Sequence, residues 1–151
     1  HIDLAVDGVD EIDKDFNAIK GGGAALFREK IVADIAREVI WIYDESKDVE
    51  KLGNFNLPVE ILPFGYSHTI RKMEEAGLKP VLRLKDGATL ITDNNNYIVD
   101  LHLGYGFDIK AVKEKLESIV GVVEHGLFLN MCKLCIKGTE QGAVIIENPN
   151  N

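Results

Sequence analysis

Three short segments near the start of the chain carry residue types that could do chemistry together. Asp7-Gly8-Val9-Asp10-Glu11 follows Ile2-Asp3-Leu4-Ala5-Val6, a run that reads as a buried strand. Loops at the carboxyl ends of parallel strands are where α/β sheets bind ligands. Gly8 would let the backbone approach a bound molecule, and Asp7 and Asp10 could accept hydrogen bonds from its hydroxyl groups. With Glu11 the same segment holds three mutually repelling carboxylates, oxygen ligands of the kind a Mg²⁺-dependent phosphotransferase uses. For such a segment taken alone, the commoner fate is a solvated turn that caps the next element.

The second segment, Lys20-Gly21-Gly22-Gly23-Ala24-Ala25, precedes a helix expected between Gly23 and Glu38. Ala24, Leu26, Ile31, Ile35 and Ala36 recur there at roughly helical spacing. Glycines before a helix expose unpaired N–H groups, and the helix dipole adds partial positive charge. With Lys20 beside them they could cradle an oxyanion or phosphate. The spacing matches no standard nucleotide-binding loop, so a plain flexible connection is an equal alternative.

Glu29 lies on that helix, four residues after Ala25 and three before Val32. Apolar neighbours on one stripe would desolvate its carboxylate and raise its pKa toward that of a general base. A salt bridge to a nearby lysine is the commoner role. Lys47 follows a second strand, Val39–Tyr43, again at a carboxyl end, where most lysines are simply exposed. Cys132 and Cys135, the only cysteines, would lie on opposite faces of a strand and read as packing residues. His68, His102 and His125 stand singly and read as surface or satisfied imidazoles. Glu74-Glu75 and Lys113-Glu114-Lys115 read as solvated helix faces.

A helix between two apolar strands predicts a parallel α/β sheet. From Pro58 the rhythm changes. A strand over Val59–Phe64 leads to a helix capped by Ser67 and stopped by Gly77. Strands follow near Pro80–Lys85, Ala88–Thr92 and Tyr97–Leu103, then a helix from Asp108 to Gly121 and a closing strand over Val122–Phe128. Apart from one extra strand, this is the β-α-β-β-α-β order of a ferredoxin-like unit. Leu134–Lys137 and Ala143–Ile146, around a turn at Gly138, predict a hairpin that rejoins the first sheet.

The 151 residues suit one domain, or a small domain inserted in another. Lysine and arginine number 17 against 25 acidic residues, a net charge of −8, which argues against nucleic acid and anionic membrane surfaces as partners. No run is long and apolar enough for a membrane span, and no signal peptide opens the chain. Two cysteines fit a reducing cytosol, so the expectation is a soluble cytoplasmic protein.

Longer stretches carry a family resemblance. Leu4–Ile12, Ile19-Lys20-Gly21-Gly22-Gly23-Ala24-Ala25-Leu26 and Arg28-Glu29-Lys30 resemble the central blocks of type A ribose-5-phosphate isomerases. The likeness continues through Leu57-Pro58-Val59-Glu60, Thr92-Asp93-Asn94, Gly121-Val122-Val123, Gly126-Leu127-Phe128 and Gly138-Thr139.

The resemblance implies a Rossmann-like domain over 1–57 and 132–151, with its N-terminal part missing, and an inserted ferredoxin-like α+β lid over 58–131. It implies metal-free and cofactor-free interconversion of ribose 5-phosphate and ribulose 5-phosphate by a homodimer or homotetramer. Glu29 becomes the proton acceptor, with Asp7, Asp10 and Lys20 assisting catalysis. Asp7, Gly8, Val9, Asp10, Lys20, Gly21, Gly22, Gly23 and Lys47 become contacts to the sugar phosphate. The family's N-terminal phosphate-gripping loop has no counterpart in these residues, so roughly its first third is expected to lie outside them. The competing expectation is a non-catalytic sugar-phosphate sensor of a bacterial regulator, which needs the anion cradle but no base.

Overall fold

Helix and strand periodicities alternate along the chain and sort its elements into three main sheets. The structure, a computed structural model, describes residues 1–151. β1 (Ile2–Asp7), β2 (Glu11–Ile12) and β3 (Asn17–Ile19) lead to α1 (Leu26–Ile35) and β4 (Ala36–Asp44). β5 (Leu57–Ile61), α2 (Tyr66–Glu75), β6 (Pro80–Leu82), β7 (Leu84–Lys85) and β8 (Ala88–Thr89) follow. Then come β9 (Tyr97–Leu101), α3 (Ile109–Ser118), β10 (Val122–His125), β11 (Leu127–Leu129), β12 (Leu134–Thr139) and β13 (Gly142–Glu147).

The first sheet has the order β1-β4-β12-β13, with β1 and β12 both parallel to β4. Trp41 sits at its centre, in register with Asp7 on one side and Cys135 on the other, and is 1% exposed. β1 is not the buried strand its sequence suggests. It forms the sheet edge in this chain, and Leu4 and Val6 point to a face that leaves them about half exposed, while Ala5 on the other face is buried. The α1 stripe is also narrower than expected: Leu26 and Ala33 are buried, whereas Ile31 and Ile35 are exposed. The helix runs directly into β4 at Ala36.

The second sheet, β10-β5-β9-β6, is antiparallel throughout. Numbered within this unit its strands run 4-1-3-2 with a helix after the first and third, which is the ferredoxin-like arrangement. Leu57, Val59 and Ile61 alternate along β5 toward Met73 of α2 and Leu116 of α3, and all are buried in one apolar cluster. The other face of β5 is buried as well. There the Glu60 carboxylate accepts hydrogen bonds from the Thr92 hydroxyl and the amides of Asn94 and Asn96.

The expected closing strand divides at Gly126. Its N–H donates to Pro58 O at 2.8 Å, and its carbonyl accepts from Lys20 N at 2.9 Å. A Cβ there would stand 2.2 Å from Lys20 O, so only glycine allows the chain to leave β5 and join β3. β11 then builds a small third sheet, β11-β3-β2, which links the other two. Three local expectations also change. Gly65, at φ 70°, occupies the α2 cap and Ser67 lies inside the helix. Gly138 lies within β12, so the hairpin turns at Glu140-Gln141. Cys132 precedes the strand, which lets its sulfur approach that of Cys135 to 3.8 Å in the core instead of facing away.

Candidate active site

Asp7 ends β1, and the next three residues turn across the carboxyl edge of the sheet toward β2. Lys20 follows β3 directly, its backbone held by Gly126, and its side chain is only 3% exposed. Trp41 and Phe128 wall it in, with Nζ 5.3 Å and 5.5 Å from their ring centres. A buried ammonium needs hydrogen-bonded and charged partners. Lys20 finds them in Gly8 O, Asp7 Oδ2 at 3.1 Å and Glu29 Oε1 at 3.6 Å.

The glycine loop then crosses in front of Asp10, whose Oδ2 accepts the N–H of Gly22 at 2.8 Å. A Cβ on Gly21, at φ 111°, would strike Leu26 and Pro58. Ala24 also adopts a left-handed backbone, φ 61°, before α1 begins with no side-chain cap. The first-turn N–H groups of α1 therefore have no side-chain acceptor.

These segments converge on one open cavity of about 190 Å³, lined by residues 7–10, residues 20–23 and Glu29. A larger cavity, about 450 Å³, among Ile12, Phe16, Tyr43 and Ile146, holds none of the candidate site residues.

Burial raises the Glu29 pKa above the ordinary carboxylate value. Lys20 opposes the shift, and the negative charges of Asp7 and Asp10 add to it. Of the expected Ala25–Val32 stripe, Ala25 is half-buried and Val32 is 41% exposed. Oε2 of Glu29 is buried without a hydrogen-bond partner. One oxygen of this carboxylate is thus oriented by a lysine and the other is free.

Two expected participants lie elsewhere. Glu11 is 2% exposed and turned away from the cavity, accepting the backbone N–H groups of Gly53, Asn54 and Phe55 at 2.9–3.3 Å. Asp7, Asp10 and Glu11 therefore do not form a common set of metal ligands. Lys47 ends the short 3-10 turn Glu45–Lys47 after β4, at the same sheet edge but outside the cavity lining.

Other contacts carry no local sequence signal. Arg28 donates to Asn94 Oδ1 and Asp93 O in the turn before β9, and Lys30 to Glu124 and His125 of β10, so α1 is docked to a turn and a strand of the inserted unit on either side of Glu29. Arg83 reaches the carbonyls of Gly21 and Gly22. Only a knowledge of strand register would have brought these residues together.

The family model for ribose 5-phosphate isomerase A (phosphoriboisomerase A) matches residues 1–142. The ribose-5-phosphate isomerase A of Bifidobacterium longum subsp. infantis is 54% identical over 151 residues, 99% of this chain and 65% of that protein. A solved D-ribose-5-phosphate isomerase in complex with phospho-erythronic acid is similar at a TM-score of 0.89 and 36% identity, covering 97% of this chain and 65% of that one. The ribose 5-phosphate isomerase A of Methanocaldococcus jannaschii gives 0.86 at 40% identity, covering 96% and 65%. The chain spans about 65% of the length of the curated relatives it matches.

Proposed function

Since this chain belongs to the ribose 5-phosphate isomerase A family, we propose that its cavity is the catalytic site of an aldose–ketose isomerase. The substrates are D-ribose 5-phosphate and D-ribulose 5-phosphate, and the reaction belongs to the non-oxidative pentose phosphate pathway. The observation that carries the reading is Glu29, oriented at Oε1 by Lys20 and unpartnered at Oε2, in the same cavity as the glycine loop and two aspartates.

The furanose opens with help from Asp7 and Asp10, which accept hydrogen bonds from sugar hydroxyls. Glu29 Oε2 removes the proton on C2, now acidified by the C1 aldehyde. Lys20 and the N–H groups of the glycine loop hold the negative oxygen of the enediolate. Glu29 returns a proton to C1, and the hydroxyl proton on O2 moves to O1, leaving the C2 ketone. Atoms and electrons balance within the sugar, and one carboxylate serves both carbon transfers. Lys47, at the same sheet edge, contributes positive potential toward the phosphate. A sensor would need the cradle but not a base with a raised pKa, which favours the enzyme.

We propose a Rossmann-like unit over 1–57 and 132–151 and a lid over 58–131. The gathering of β1, β4, β12 and β13 in one sheet and of β5, β6, β9 and β10 in another supports the division, while β11 crosses it to pair with β3. We further propose, from family membership alone, a homodimer or homotetramer working in the cytoplasm. No helix is long and apolar enough to cross a membrane.

The test is conversion of ribose 5-phosphate by the full-length protein in deuterated water. The expected product carries deuterium on C1 of ribulose 5-phosphate, because the base exchanges with solvent between transfers. Tight binding of phospho-erythronic acid, whose carboxylate mimics the enediolate charge, with no conversion would support a sensor instead.

A further inference from the structure

Arg83 follows β6 and lies far in sequence from the glycine loop, yet its guanidinium contacts that loop directly. Nε and Nη2 grip both oxygens of Asp100 on β9 at 2.8 Å and 2.6 Å. Nη1 donates to Gly21 O at 3.0 Å and Gly22 O at 3.1 Å. The pair is rigidly mounted, since Val81 is in register with Asp100 and Arg83 N donates to Ile98 O at 2.8 Å. Both side chains are largely buried, at 15% and 21% exposure.

We propose that Arg83, held by Asp100, is a positioning residue that sets which way the glycine-loop peptides face and thereby builds the oxyanion cradle. This rests on the isomerase reading above. In a trans peptide the C=O and the following N–H point in opposite directions, and the chain has no cis bonds. The Gly21 carbonyl, held by Arg83 together with the N–H of Ala24 at 3.0 Å, turns the Gly22 N–H the other way, where it meets Asp10. Drawing the Gly22 carbonyl turns the Gly23 N–H away from Arg83 in the same manner. Gly23 lines the cavity, nothing stands within 4 Å of where its Cβ would be, and its N–H has no acceptor in the protein.

Glycine has no Cβ to prevent these peptides from flipping. A flipped peptide would aim a carbonyl at the site and add negative charge beside Asp7, Asp10 and Glu29, where the enediolate must form. Arginine suits the task because its planar fork can hold a carboxylate on one edge and carbonyls on another, which a lysine ammonium cannot reproduce.

The experiment compares wild type, Arg83→Gln, Arg83→Lys and Asp100→Asn in the full-length protein. It measures kcat and KM for ribose 5-phosphate, thermal midpoint, and binding of 4-phospho-erythronic acid against erythritol 4-phosphate, which lacks the carboxylate. Arg83→Gln should lower kcat about 10-fold to 100-fold, less than or equal to the loss of an oxyanion donor, with KM changing only a few-fold. It should weaken the acid roughly 10-fold more than the alcohol. Arg83→Lys should recover thermal stability without recovering kcat. If Arg83→Gln fails to fold, Asp100→Asn, which keeps one acceptor oxygen, should show the same split in smaller measure. Variants with wild-type kcat, or equal weakening of both ligands, overturn the positioning role while an active wild type leaves the isomerase reading intact. A wild type inert toward ribose 5-phosphate overturns both.

Discussion

The ammonium of Lys20 stands 3.6 Å from Oε1 of Glu29 and leaves Oε2 of the same carboxylate buried with no hydrogen-bond partner. Lys20 also meets Asp7 and Gly8 O, so its position does not depend on Glu29 alone. The base is thus oriented through one oxygen while the other keeps its lone pairs for substrate. Burial holds the Glu29 pKa up, Lys20 opposes it, and the negative charges of Asp7 and Asp10 add to the rise.

Glu29→Gln keeps the shape of the side chain and removes its basicity. It should lower kcat by about 10²–10⁴ while binding of phospho-erythronic acid changes only a few-fold. The raised pKa also has a sign for stability. The contribution of Glu29 is fully present below its unfolded value and is lost as pH rises through the folded value. At pH 7 the ionised group is therefore a cost, and the Gln variant should melt at or above the wild-type temperature. A clearly lower melting temperature would contradict this account of its environment.

Lys20→Met should lower kcat by about 10²–10³, the loss seen for an oxyanion donor. Burial is the main cause of the raised Glu29 pKa, and Lys20 is the principal influence opposing it. Removing the ammonium should therefore move the acid limb of the kcat/KM profile to higher pH. A variant in which KM alone rises and the limb stays in place would make Lys20 a substrate anchor only.

Glu11 and Asp10 are neighbours in sequence with different expected phenotypes. Glu11 caps three backbone N–H groups in the interior, so Glu11→Ala should destabilise the fold by about 2–4 kcal/mol. Its kcat, measured well below the melting temperature, should stay within a few-fold of wild type. Asp10→Asn should instead leave unfolding nearly unchanged and lower kcat/KM at least about 10-fold. Denaturant titrations alongside steady-state kinetics separate the two.

The junction between α1 and the second sheet should weaken in acid. Burial and the neighbouring Lys30 push His125 down to about 4, against attraction from Glu124 and Glu117, with Lys113 also lowering it. An imidazole with a depressed folded pKa contributes stability above its unfolded value near 6.5, and loses it progressively as pH falls toward 4. Glu117 and Glu124, both held below the ordinary carboxylate value, extend the loss further into acid. Urea titrations should show unfolding accompanied by uptake of up to about one proton between pH 6.5 and 4.5. His125→Gln should flatten that interval, and an unchanged slope would place the proton elsewhere.

Features governed by neighbours in sequence are legible from residue types and their spacing. Asp108 caps α3 through the N–H of Ala111, as its type and place before an apolar stripe require. The strand–turn–strand rhythm after Pro58 points to the ferredoxin-like unit, because alternation and turn residues act over a few positions. Asp7, Lys20, the three glycines and Glu29 can be picked out as chemistry-bearing segments for the same reason.

Which way each side chain faces is decided by packing across the fold. Glu11 is one residue from Asp10, but a carboxylate facing the other side of a β-strand meets Gly53 and Phe55 instead of the cavity. Gly126 splits a run that reads as one strand, since the constraint is the close approach of Lys20 O and Pro58 O from distant elements. The walls that bury Lys20, Trp41 and Phe128, come from strands far from it in the chain. Arg83 meets the glycine loop only because β6 and β9 pair in a particular register. Residue types and local periodicity carry no information about register between strands tens of residues apart. It is settled when the apolar faces are buried together, and the geometry of the site is settled with it.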